Sequence, residues 1–197
     1  MSQRSESSDT RESIMRATYC ALSKHGYADL TMQDIAEEFE KSKSLIHYHY
    51  ETKEDLFVAF LDYLLDHFHE HVESIDSDDP AERLHHLLDL FESGPSDDDK
   101  RDFHVALLEI RAQAPYTDAY REQLRRNTDD LHDLAADIIR DGTETGQFDS
   151  VDPDEAATVL LATVDGIRIR RATLGGNDEI EAIDGLLSRY LGWEGAE

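Results

Sequence analysis

Cysteine is nearly absent from this chain: Cys20 is the only one among 197 residues. That excludes an internal disulfide framework and a cysteine-based zinc site. Proline (4) and glycine (10) are scarce, so few positions break a helix and long helices are favoured. Long apolar runs are missing too. The longest stretch without a charged residue, 156–164, has nine residues, whereas a membrane span needs about 18 or more. Residues 1–11 are polar and hold no apolar signal core, so secretion is not expected. The expected location is cytoplasmic, with no membrane partner.

Positive charge is scarce beside negative. Lys+Arg number 19 against 45 Asp+Glu, a formal net charge of −26. Such acidity argues against nucleic acid, whose phosphates reward cations, but the charge is unevenly spread. Residues 1–57 hold seven basic and eleven acidic residues, a net of −4, and the remaining 140 hold twelve and thirty-four, a net of −22. Four of the five lysines (Lys24, Lys41, Lys43 and Lys53) lie in that first part. The head has been spared. Asp exceeds Glu and Lys is rare beside Arg, a composition that resembles proteins of salt-loving microbes, where carboxylates keep the surface hydrated.

What is present is helical periodicity. Residues 1–9 read as a frayed tail. Ile14, Ala17, Ala21 and Leu22 recur at helical spacing, and Gly26 stands where a C-cap glycine stops a helix. Thr31 caps a second, short helix, with Asp34 as capping-box partner and Leu30 and Ile35 at the positions of a hydrophobic staple. Ser42 opens a third helix to about His49. Thr52, with Asp55 three residues later, opens a fourth whose stripe runs from Leu56 to Val72. Asp79-Pro80 starts a fifth, ended by Gly94-Pro95. A sixth covers about 98–112, and Pro115 starts a seventh reaching about Asp141. Asp152-Pro153 starts an eighth to Leu174, and Asn177 caps a ninth to Leu191. No alternating strand pattern occurs. The fold class is all-α, nine helices.

The second and third helices, separated by a tight turn, make a helix-turn-helix. Such a unit must project side chains of its second helix into a major groove about 12 Å wide. With Ile46 inward, Ser44, His47 and Tyr48 share another face at i, i+3, i+4 spacing. That face carries hydroxyls and imidazole and no carboxylate, although a solvated face of so acidic a chain would attract Asp or Glu. DNA readout is the expectation.

Leu30-Thr31-Met32-Gln33-Asp34-Ile35-Ala36, and the run from Ser42-Lys43-Ser44-Leu45-Ile46-His47-Tyr48-His49-Tyr50 through Lys53 to Leu56-Phe57, resemble the head of the TetR family of transcriptional regulators over about 10–57. The resemblance implies a helix-turn-helix DNA-binding domain at 10–57 and a helical effector-binding and dimerisation domain at 58–192. It places Thr31, Lys53 and Tyr48 at phosphate, or Tyr48 at a thymine methyl. Lys43, Ser44, Leu45 and His47 take the base-reading edge, and Ser42 and His49 complete the DNA-facing set. Two departures from the family pattern stand out: Glu40-Lys41 stand where Gly-Val is frequent, and Leu45 replaces a frequent Thr, favouring apolar contact with a thymine methyl.

The eighth helix, 153–174, is apolar nearly all round from Ala156 to Val164, the profile of a helix covered on more than one side. Family precedent builds a two-fold four-helix dimer interface from the eighth and ninth helices, here Val159, Leu161, Ile183, Leu187 and Tyr190. The resemblance also implies an effector pocket in the body, with Phe60, Tyr63, Phe103, His104, Leu107, Arg111 and Tyr120 as candidates. The overall expectation is a non-enzymatic, dimeric repressor released from a palindromic operator by a small molecule, with no cofactor. The alternatives are a regulator without a small-molecule effector, or a histidine-rich metal-binding protein. His67 and His71 have the i, i+4 spacing of zinc ligands, yet the protease order H-E-x-x-H is absent, and no metal site is assigned.

Overall fold

The computed structural model describes residues 2–39, 43–74, 77–92, 100–175 and 179–192. Among them the chain forms nine helices and no strand: α1 (Ser2–Asp29), α2 (Met32–Glu38), α3 (Lys43–His49), α4 (Lys53–Glu73), α5 (Pro80–Glu92), α6 (Lys100–Gln113), α7 (Asp118–Thr145), α8 (Pro153–Leu174) and α9 (Glu179–Leu191). The starts follow local chemistry. Asp79 accepts from the amides of Ala81 and Glu82 at 2.9 and 3.1 Å. Asp152 accepts from those of Asp154 and Glu155, with Pro153 at the first helical position. Thr52 and Asp55 exchange reciprocal bonds that open α4.

Some boundaries differ from expectation. The supposed tail is helical from Ser2, because nothing before Gly26 breaks a helix and Ile14, Met15 and Thr18 bury its continuation. Gly26 breaks α1 as expected, its φ of 68° and ψ of 165° being non-helical, and only a short turn follows to Asp29. α7 begins at Asp118 rather than Pro115, since Tyr116 and Thr117 donate their amides to the Gln113 carbonyl and prolong the turn after α6. The expected breaks at Gly94-Pro95 and the Asn177 cap lie outside the described residues.

The chain divides by packing into two compact units, Met1–Leu65 with Arg101–Arg125, and Asp66–Lys100 with Arg126–Glu197. In the first, Ile14, Met15 and Leu22 of α1, Ile35 of α2, Ile46 of α3 and Leu56, Phe57 and Phe60 of α4 close one core with Phe103, Ala106 and Ile110 of α6 and Tyr120 of α7. Each Leu, Ile, Met or Phe among them contributes about 1.5–3 kcal/mol on full burial. The core therefore fixes the short α2 and α3, which could not persist alone. In the second unit, Leu84, Leu87 and Phe91 of α5 pack with Ile138 and Ile139 of α7, Ala157 and Leu160 of α8 and Leu187 and Leu191 of α9. The unit holding the head thus reaches beyond 10–57 to take in α6 and the start of α7.

Candidate nucleic-acid interface

α3 is anchored by Ile46, which is fully buried, while Leu45 is half-buried against the same core. The opposite face stands in solvent. Ser44, His47, Tyr48 and His49 are all exposed, and Tyr48 is 82% exposed. An aromatic ring left that open has large contact area on offer at little cost in side-chain entropy. The His49 ring meets it edge-on at 5.4 Å. Ser42 lies outside the described residues. Lys43 opens α3, although its side chain is not among those described, and Glu40-Lys41 also fall outside.

α2 begins in a complete capping box. The Thr31 hydroxyl accepts from the amides of Gln33 and Asp34 at 3.2 and 3.3 Å. Its own proton goes to the Asp34 carboxylate at 2.6 Å, which also accepts the Thr31 amide at 2.7 Å. These Thr31 bonds, hydroxyl first, hold the Asp34 carboxyl below its ordinary value. Thr31 is exposed.

Lys53 is placed differently from a solvent-facing phosphate ligand. Its ammonium donates to the carbonyls of Tyr27 and Leu30 at 2.6 and 2.7 Å and sits 4.1 Å above the Tyr27 ring. Burial lowers its pKa, with Glu109 and Asp29 pulling the other way. Two of the ammonium's three donors thus hold the stretch between the α1 kink and α2. On the same stretch the Glu109 carboxylate of α6 accepts the Tyr27 and Ala28 amides at 2.6 and 3.4 Å, and the Tyr27 and Tyr120 hydroxyls are 3.0 Å apart. Sequence reasoning missed Tyr27 and Glu109. The one visible sign was a lone carboxylate in the otherwise uncharged run 103–110.

The comparisons with known proteins converge. A family model described as "Bacterial regulatory proteins, tetR family" matches residues 14–60, and one described as "BetI-type transcriptional repressor, C-terminal" matches residues 80–192. The chain belongs to the TetR family of transcriptional regulators. It is 31% identical over 177 residues to the HTH-type transcriptional regulator TtgR of Pseudomonas putida, covering 84% of this chain and 81% of that one. A crystal structure of a TetR transcription regulator from Haloarcula marismortui is similar at 42% identity and TM-score 0.83, over 94% and 97% of the two chains. A protein from Saccharomonospora viridis solved in complex with choline follows at 26% and 0.78, over 94% and 96%. The chain is accordingly a DNA-binding transcriptional regulator.

The TetR resemblance proposed two further groups. Of the effector candidates, Phe60, Phe103, His104 and Tyr120 are buried, with Tyr63 and Leu107 packed on the same core and Arg111 half-exposed. Burial, then the Tyr27 hydroxyl, pushes the Tyr120 phenol far up, so it stays protonated. Of the dimer candidates, Val159 and Tyr190 are 55% and 47% exposed. Leu161 is half-buried, and Leu187 lies at 7% within the second unit's own core, so self-packing accounts for it. Ile183 lies in α9, its side chain outside those described. Exposed Leu186 and Ile169 join the open apolar set. With Ala162 and Gly166, also exposed, Val159 and Ile169 line one face of α8 at i, i+3, i+7, i+10. A Cβ on Gly166 would meet nothing within 4 Å.

His67 and His71 are ring neighbours at 5.1 Å. Their Nδ1 atoms lie 3.1 Å from Glu70 and 2.7 Å from the His67 carbonyl respectively. No group of three or more potential metal ligands occurs among the described residues. No described helix is long and apolar enough to cross a membrane.

Proposed function

We propose that this TetR-family regulator is a dimeric repressor that reads a near-palindromic operator and is released by a small-molecule effector. The observation that carries the reading is the exposed face Ser44, His47 and Tyr48 on a helix anchored by buried Ile46. Those side chains, with Lys43 and Leu45, take the base edges. Ser42, Thr31 and His49 take the backbone, for phosphate contacts position and base contacts specify. Lys53 serves first as the tie that holds the α1–α2 turn. It acts on affinity through that turn, together with whatever phosphate contact its remaining donor makes.

The exposed faces of α8 and α9 support self-association. Water-facing Val159 and Ile169 on α8 and Leu186 and Tyr190 on α9 suit an isologous partner, and small residues at Ala162 and Gly166 let two helices approach closely. Two heads then engage half-sites about 34–36 Å apart. The BetI-type match and the choline complex of the Saccharomonospora viridis protein support a ligand-responsive body. We assign the chain no enzymatic role and place it in the cytoplasm with its DNA. The test is selection of a duplex from a random pool by the full-length protein, followed by competition with small organic cations, choline first. A two-fold symmetric selected sequence is expected. An asymmetric single half-site bound by monomer would remove the dimer argument, and a complex released by no small molecule would leave a regulator of another kind.

A further inference from the structure

Gly26 breaks α1 at φ 68°, so the amides that follow it lose their helical acceptors. A backbone donor left unpaired near a core is costly. The chain supplies a charged acceptor from far along its length: Glu109 takes the Tyr27 amide at 2.6 Å across 82 positions of sequence, and the Ala28 amide at 3.4 Å. From the other side, Lys53 takes the Tyr27 and Leu30 carbonyls. Leu30 is buried and directly precedes Thr31, the N-cap of α2. The stretch from Gly26 to Leu30 is therefore held by an anion at the Tyr27 and Ala28 amides and by a cation at the Tyr27 and Leu30 carbonyls, and the next residue launches the helix-turn-helix. The fit is close, since a Cβ on Gly26 would stand 3.1 Å from the Glu109 Oε2.

We infer that Glu109 is a positioning residue for operator binding: a carboxylate on α6, outside the three-helix reader, that sets the aim of α2 and α3 by holding the Gly26–Leu30 turn. The inference deepens the DNA-binding reading and rests on it. Glu109 touches no base and no phosphate in this account. Its action is on the geometry that lets Ser44, His47 and Tyr48 meet their bases together, and base contacts depend far more on aim than phosphate contacts do.

The test uses the full-length protein and a duplex it selects from a random pool, with a scrambled duplex of equal length at low salt as the non-specific probe. Glu109→Ala is expected to lose tenfold or more in operator affinity, with scrambled-duplex affinity within about twofold of wild type. Glu109→Gln, which keeps a carbonyl oxygen for the Tyr27 amide, is expected to stay within about threefold for both. Gly26→Ala, which crowds the same carboxylate and strains the kink, should reproduce the alanine pattern by an independent route. Operator affinity of Glu109→Ala within threefold of wild type would overturn the inference. So would operator and scrambled binding falling together with the melting temperature, or Gln failing as badly as Ala. A wild-type protein that selects no duplex would remove the DNA-binding reading and this inference with it, a result distinct from any variant effect.

Discussion

His47 and Tyr48 differ from Lys53 in what they can specify. The first two present imidazole and phenol from an exposed face, while the third has two donors committed to backbone carbonyls. His47→Ala or Tyr48→Ala is expected to cost about 1–3 kcal/mol against the preferred base and to relax preference at that position. Selection repeated with each variant checks this, and an unchanged consensus would remove the residue from the reading edge. Asp34 offers a pH test at the same scale. Its folded pKa lies below the ordinary 3.8 because Thr31 donates to it. The cap's contribution is therefore fully present above that ordinary value and is lost as pH falls through the lower, folded one. An acid titration followed at the Thr31 and Asp34 amides should show a midpoint below 3.8; a midpoint above it would contradict the capping geometry.

Helix by helix, the parts written in neighbouring residues were legible. Thr31 with Asp34, Thr52 with Asp55, and Asp152-Pro153 each announce a start whose bonds the structure contains. Ile46 inward and Tyr48 outward followed from spacing alone. What distant residues decide was not legible. Nothing near Gly26 announces Glu109, nothing in α9 marks Leu187 as covered by its own chain while Leu186 is open, and aromatic spacing could not say that Phe60 and Phe103 fill a core. Close approach is likewise invisible before folding: a Cβ on Gly142 of α7 would fall 2.1 Å from the buried Phe148 ring. Gly142→Ala, elsewhere a gain in a helix, is expected to destabilise by about 1–3 kcal/mol as the ring is forced aside. A thermal melt at or above wild type would refute that. On the exposed faces of α8 and α9, Val159→Asp and Tyr190→Asp should halve the sedimenting mass while the far-ultraviolet helix signal persists. An unchanged mass would place the partner elsewhere.

Charge belongs to the whole molecule. A dimer carries about twice −26, and the lysines sit almost wholly in the head. The screening length falls from roughly 30 Å at 0.01 M to roughly 3 Å at 1 M, which relieves repulsion among carboxylates and between them and DNA. An ordinary basic DNA binder loses affinity steeply with salt through counterion release. Here stability is expected to rise with potassium chloride, and operator affinity to change little or to increase. Melts and binding isotherms over a salt series decide it. A fold already stable at 50 mM that sheds its operator steeply above that would refute both.

The Thr31–Asp34 cap also bears on the start of α2 as a place for anions. At the mouth of α2, where a phosphate would accept hydrogen bonds, the chain already keeps an anion of its own, tethered three residues away at an effective concentration that no free ion in solution matches. Asp34 is an intramolecular competitor. The seat at the start of α2 is thus taken by the chain itself, three residues along.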